Sequence, residues 1–317
     1  MDVDCLSVGL LVADHLCAPI SHLPDAGELV LADRLELNIG GCASNAAMDL
    51  ARVGVKVGVV GCVGRDTFGR FVSDTLRDAK VDIASIKQVA GVGTSGTLII
   101  NVAGQDRRFI HSIGANGHLA VADIPRERVR RAKVLYVGGY FVMPALAADE
   151  LAELFREARA ADVKTVLDVV LPGPGDYWPA LERLLPECDV FLPNDDEAGV
   201  ITGLTDPRAQ AERFRQAGAA TVVITCGEAG TVLATDQLRV QSAAHHVPYV
   251  GGTGAGDAFD AGYIAGLLAG GDPLNCLAWG SALGASCVRS ISATDSVFTR
   301  PEAERFMREH PLQLTHW

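Results

Sequence analysis

Positive charge is scarce in this sequence: 27 Lys and Arg stand against 39 Asp and Glu, leaving a formal net charge of -12 over 317 residues. With no Lys or Arg block, the chain offers no basic footprint for nucleic acid or an anionic membrane. No run of about 18 apolar residues occurs, so no membrane-spanning helix is expected. The amino-terminal MDVDCLSVGLLVADHL has no basic stretch ahead of a long apolar one, so no secretory signal is read there. The cysteines at 5, 17, 42, 62, 188, 226, 276 and 287 form no C-x-x-C pair and no zinc-spaced cluster with histidine. They read as free thiols, and the expected setting is the reducing cytoplasm.

Several catalytic motifs are missing too. No Gly-Lys dipeptide occurs, which excludes a P-loop, and neither H-E-x-x-H nor G-x-S-x-G is found. Gly91, Gly93 and Gly96 satisfy G-x-G-x-x-G, but they precede the strand-like TLIINV instead of opening a helix. A dinucleotide fold, and with it an oxidoreductase, lacks its required context.

What is present is alternation. Short apolar runs (CLSVGLLV, VGVVGCVG, VLYVGG, TVLDVV, DVFLPN, TVVITCG) are separated by stretches of helical spacing such as 150–161 and 209–217. That rhythm predicts an α/β domain with a mainly parallel central sheet and helices on both faces, three layers in all. Two segments instead alternate apolar and polar residues: 29–39, and GTLIINVAGQDRRFIHSI around a Gly-Gln-Asp turn at 104–106. Period-two patterning predicts strands with one wet face. The whole chain, 1–317, therefore reads as one domain with a small β lid whose strands lie near 15–40 and 94–115. Arg107, Phe109 and His111 would share one face of a lid strand, with Arg108 on the other. An inward cationic face would suit an anionic substrate, and an outward one plain solvation.

Chemistry concentrates in VGGTGAGDAFDAGY, residues 250–263. Thr253, Gly254, Ala255 and Gly256 precede apolar residues at helical spacing, and Gly270-Gly271 can end that helix. Unpaired N–H groups and the positive end of the helix dipole make an anion site there. Asp257 falls in the first turn, where capping alone accounts for an acid. An anion cradle beside a carboxylate is also what phosphoryl transfer to a hydroxyl requires. A second Gly-Gly pair, Gly40-Gly41, opens a helical run that closes at Gly54 and carries Asn45 early, suited either to polyol hydrogen bonds or to close packing.

Taken together, these stretches resemble the phosphofructokinase B, or ribokinase, family over nearly the whole chain. GGCASNAAMDLARVGVKVGVVGCVGRDTFG matches its amino-terminal signature and GGTGAGDAFDAGYIAGLLAG its carboxy-terminal one, with PNDDEAGVITG and TCGEAGTVLA between them. The resemblance implies a ribokinase-like fold and an ATP-dependent, Mg²⁺-requiring kinase acting on a hydroxymethyl group of a sugar or sugar derivative. It implies Asp257 as base and Gly254, Ala255 and Gly256 as anion hole. It implies Asn194 and Glu197 at phosphates and Mg²⁺, with Asp195 and Asp196 read as helix-start charge. Thr225, Gly227 and Gly284 fall on the nucleotide, with helix packing an equal account of Gly284. Asp14, Gly40, Gly41 and Asn45 fall on the acceptor, and the lid implies a homodimer. A nucleoside kinase of the same family and a sugar-sensing protein without catalysis are the alternatives. One departure stands out: Gly251-Gly252 replaces the pair, usually Asp-Thr, whose aspartate helps hold a monovalent cation in some members. The expectation is an anion hole insensitive to potassium.

Overall fold

The computed structural model describes residues 2–105 and 108–317. Asp106 of the expected turn and Arg107 of the expected lid strand lie outside the described residues. In chain order the strands are β1 (Cys5–Gly9), β2 (Val12–Ile20), β3 (Leu35–Gly40), β4 (Val57–Gly64), β5 (Asp82–Val89), β6 (Gly96–Val102) and β7 (Arg108–Ser112). They continue with β8 (Val134–Gly138), β9 (Lys164–Leu167), β10 (Val190–Phe191), β11 (Thr221–Thr225), β12 (Thr231–Ala234), β13 (Arg239–Ser242) and β14 (Leu314–His316). The helices are α1 (Cys42–Arg52), α2 (Thr67–Asp78), α3 (Arg126–Arg131), α4 (Ala148–Ala160), α5 (Trp178–Leu184) and α6 (Asp195–Thr202). After them come α7 (Pro207–Gln216), α8 (Ala255–Leu268), α9 (Pro273–Cys287) and α10 (Arg300–Glu309).

Among the described residues, ten strands form one sheet in the order β14-β13-β12-β11-β10-β9-β8-β1-β4-β5. From β11 through β5 every pairing is parallel, and β12 to β14 add antiparallel to one edge. Successive side chains of a strand point to opposite faces, and here both faces are covered. On β8, Leu135 and Val137 join an apolar core with α4 to α7, while Val134 and Tyr136 join another with α1, α2, α8 and α9. The layers are therefore helix, sheet, helix.

The apolar run CLSVGLLV is not one strand. β1 ends at Gly9, whose φ is +146°, and a Cβ there would stand 2.2 Å from the Gly138 carbonyl oxygen. The chain turns away at this point, and β2 enters a second sheet in the order β3-β2-β6-β7. The period-two segment at 29–39 is strand only from Leu35. Cys17 pairs with Leu35, and residues 29–34 find no partner strand among the described residues, leaving Leu29 and Leu31 exposed.

Candidate active site

Neighbouring parallel strands deliver side chains to the same edge of the large sheet, their carboxyl ends, where open α/β sheets hold ligands. Thr225 ends β11, Asn194 follows β10, Asp168 follows β9, and Gly139 follows β8. Thr225 and Asn194 pair as an isolated parallel bridge, and Asp168 Oδ2 accepts the Gly139 N–H at 2.9 Å.

α8 starts over this edge. Its N-cap, Gly254, has φ +78°, so the chain enters the helix through a left-handed turn that leaves the first N–H groups unpaired by the helix itself. A Cβ on Gly254 would meet Ala293 Cβ at 2.5 Å, whereas one on Gly256 would meet nothing within 4 Å. Ala255, Gly256 and Asp257 form the first turn, Gly256 is exposed, and Asp257 is half-buried. Asn45 Nδ2, from the first turn of α1, donates to Asp257 Oδ2 at 2.7 Å. Both segments found through their glycines thus meet in one hydrogen bond.

Burial lifts the pKa of Asp257, and hydrogen bonds from Asn45 and Cys42 pull it back down. Around it stand acids that motif reading did not single out. Asp168 is buried and pushed well up, first by desolvation and then by Glu197 and Asp257. Asp260, one turn along α8, is raised by burial and by Asp168 and Asp257, and its Oδ2 accepts the Tyr136 hydroxyl at 2.8 Å. The sequence signal was a second acid, Asp260, three residues after Asp257 in a helix that is apolar beyond it.

Single atoms of Cys42, Asp168 and Asp257 lie within 4.8 Å of one another. A thiol is a soft ligand, so this trio does not suit a hard cation such as Mg²⁺. Asn194 and Glu197 form a capping box at the start of α6: Glu197 N donates to Asn194 Oδ1 at 2.8 Å, and Asn194 N to Glu197 Oε2 at 3.0 Å. The cap leaves Asn194 Nδ2 and Glu197 Oε1 for other partners, and Glu197 Oε1 is an oxygen donor of the kind a hydrated Mg²⁺ takes. Asp195 and Asp196 occupy the first turn, as helix-start charge would.

Burial raises Glu197 to about 7, with Asp257 and Asp196 adding to it and the Asn194 N–H opposing it. A carboxyl raised on folding takes up protons in the folded state, so it stabilises the protein at low pH and this contribution fades as pH rises through about 7. Thermal melts of the ligand-free protein between about pH 5 and 8 should therefore fall with pH. Glu197→Gln should flatten that slope, and an unchanged slope would refute the assignment.

Of the residues expected at a nucleotide, Gly227 is exposed at the turn after β11, with φ +54° and open space around a would-be Cβ. Gly284 faces the other way: a Cβ would lie 3.3 Å from the Ala255 carbonyl oxygen and 3.5 Å from Phe259 Cβ, so its small size serves the packing of α9 on α8. Gly251 packs against the segment after α9, a Cβ there standing 3.1 Å from the Ser290 carbonyl oxygen.

Of the residues expected at an acceptor, Asp14 of β2 is buried and raised to about 6, mainly by desolvation and opposed by the Thr97 hydroxyl. Gly40 lies against it, with no room for a Cβ, and Gly41, φ +92°, caps α1. Asp14, Thr97 and His111 are cross-strand neighbours on β2, β6 and β7, and His111 Nδ1 sits 3.1 Å from Thr97 Oγ1. His111, Arg108 and Phe109 are all exposed. Thr97 has one hydroxyl proton, so when it donates to Asp14 the histidine is the donor to Thr97.

A large, mainly parallel sheet with a four-stranded sheet beside its carboxyl ends and a glycine-started helix over them is the ribokinase-like fold. The chain belongs to the pfkB family of carbohydrate kinases, whose pattern, described as "pfkB family carbohydrate kinase", matches residues 3–300. It is accordingly an ATP-dependent carbohydrate kinase, a phosphotransferase with an alcohol acceptor. It is 26% identical to "Ribokinase" of Haemophilus influenzae over 308 residues, 96% of this chain and 97% of the relative. It is 29% identical to "Aminoimidazole riboside kinase" of Salmonella typhimurium over 283 residues, 87% and 86% of the two chains. A solved structure, a putative ribokinase II from E. coli in complex with ATP and Mg²⁺, superposes with a TM-score of 0.81 at 20% identity, covering 97% of this chain and 100% of that one. Among the described residues no helix is long and apolar enough to cross a membrane.

Proposed function

We propose that the protein transfers the γ-phosphoryl group of ATP to a hydroxymethyl group of a sugar or sugar derivative. The acceptor oxygen attacks the γ-phosphorus, its proton passes to Asp257, and the bond to the leaving ADP breaks. One observation carries the reading: Asp257 stands half-buried in the first turn of α8, bonded to Asn45, beside the Gly256 and Asp257 N–H groups that the helix leaves without a carbonyl, while the Ala255 N–H donates to the Gly252 carbonyl at 3.2 Å. The 254–256 turn stabilises the transferred charge through those N–H groups, which need no reorganisation during the reaction. Glu197 would hold Mg²⁺ through water and Asn194 Nδ2 would donate to a phosphate oxygen; the bound ion would supply neutralisation of phosphate charge. Thr225 and Gly227 receive the nucleotide, and Asp14, with Gly40, Gly41 and Asn45, orients the acceptor hydroxyls.

The small sheet acts as a lid that keeps water from the γ-phosphate. Its exposed Leu35, Leu98 and Ile110 lie on one face of that sheet and support a homodimer through it, which sedimentation would read as twice 33.3 kDa. A nucleoside acceptor is the second reading, favoured by the similarity to an aminoimidazole riboside kinase. Eight free cysteines, six of them buried, support a reducing, cytoplasmic setting.

ADP release across a panel of sugars and nucleosides tests the function. A sugar should give the highest kcat/KM, and no release with any acceptor would refute the reading. The same assay run in potassium and in a bulky organic cation should give rates within about twofold, because Gly251 brings no carboxylate to the segment after α9. A large drop without potassium would overturn that expectation.

A further inference from the structure

Two buried acceptors lie one turn apart on α1. Asn45 Oδ1 is buried and has no hydrogen-bond partner among the described residues, and neither oxygen of Asp49 has one. Asp49 is fully buried and Asn45 is 3% exposed. Their i, i+4 spacing puts them on the same helix face as neighbours, where α1 packs on α8. A carboxylate can only accept, so the donor end of the Asn45 amide must face Asp257 and its oxygen must face away, toward the interior.

Among the described residues no hydrogen-bond donor reaches either oxygen of Asp49. The cation nearest in sequence, Arg52, has its Nη1 spent on the carbonyls of Thr294, Asp295 and Val297 at 2.7 to 2.9 Å. From α8 Asp257 faces it with a like charge, and from α9 comes the Cys287 thiol, itself bonded to the carbonyls of Thr253 and Ala293. Leaving three buried acceptor atoms unserved would cost several kcal/mol, on the order of 1 to 3 each. One proton shared between the two side chains removes most of that cost.

We propose that Asp49 is a neutral carboxylic acid whose hydroxyl donates to Asn45 Oδ1, making it a positioning residue that fixes the amide Asn45 presents to Asp257. Desolvation first, then the Asp257 charge, hold the Asp49 carboxyl protonated, with Arg52 opposing. In the resulting relay the acid sets the rotamer of Asn45, and Asn45 sets the orientation of the base. The inference rests on the reading of Asp257 as base for its functional consequence, though not for the hydrogen bond itself.

The test has two arms. In protein labelled at the aspartate carboxyl carbons, the resonance absent from Asp49→Asn identifies Asp49; it should keep the neutral-acid position between pH 6 and 8. A carboxylate position at pH 7 overturns the proposal. In the kinetic arm, Asp49→Ala should lower kcat about tenfold, the cost of leaving Asn45 Oδ1 unserved, with ATP affinity unchanged. Asp49→Asn, whose amide N–H replaces the acid hydroxyl, should recover most of that loss. Equal losses in both variants would show that the charge is what matters, and no loss in either would remove the positioning role; both results overturn the proposal. Should Asp49→Ala not fold, the resonance and the Asp49→Asn rate still decide. A neutral Asp49 together with an active Asp257→Asn would overturn the base assignment alone.

Discussion

Asp257→Asn is expected to abolish turnover, by about 10² to 10⁴ fold in kcat, the usual loss for a general base, while ATP binding stays nearly intact. The substitution keeps size and position, and Asn45 Nδ2 still has an oxygen to bond. It removes the proton acceptor that burial has made more basic than an ordinary aspartate. Steady-state kinetics with an equilibrium ATP titration reads both quantities, and retention of a tenth of the wild-type rate would contradict the assignment.

Gly254→Ala should be nearly as damaging, by a different route. At φ +78° a side chain is strained, and the new methyl would meet Ala293 at 2.5 to 2.7 Å, mostly backbone that cannot give way. Strain and collision together should cost on the order of 3 kcal/mol, and the turn that aims the α8 N–H groups should be lost with it. Gly256→Ala separates the two effects. Its Cβ would meet nothing within 4 Å, so the unfolding midpoint should hold while the methyl narrows the approach of the phosphoryl group and lowers kcat. Denaturant midpoints and rates for both variants check this, and a Gly254→Ala protein of wild-type stability and activity would refute the role given to the turn.

The parts of the site that lie on one stretch of chain were readable from sequence. The glycines before Asp257, the pair before α1 and the Asn-x-x-Glu cap each join local backbone geometry to a nearby side chain, so spacing exposes them. Asp168 and Asp260 were not readable in this way, because contacts across the fold create their roles. Asp260 is satisfied by Tyr136, 124 positions away, and Asp168 by the Gly139 N–H, 29 away. The layered α/β architecture followed from the alternation of apolar runs and helical spacing. The break between β1 and β2 did not, since it depends on the Gly138 carbonyl crowding Gly9. Nor did the short β3, since strand patterning at 29–34 had no neighbour to pair with.

The order of the strands is also a ruler. Thr225, Asn194, Asp168, Gly139 and the end of β1 come from five strands that are consecutive in space though not in sequence. At about 4.8 Å per strand they span roughly 19 Å, with the proposed nucleotide end at β11 and the proposed acceptor end at β1. Adding or removing one strand between those ends would shift donor and acceptor by one spacing. In-line transfer tolerates displacements of only about 1 Å. The number of strands between the two ends is therefore a catalytic dimension, fixed by topology before any side chain is chosen.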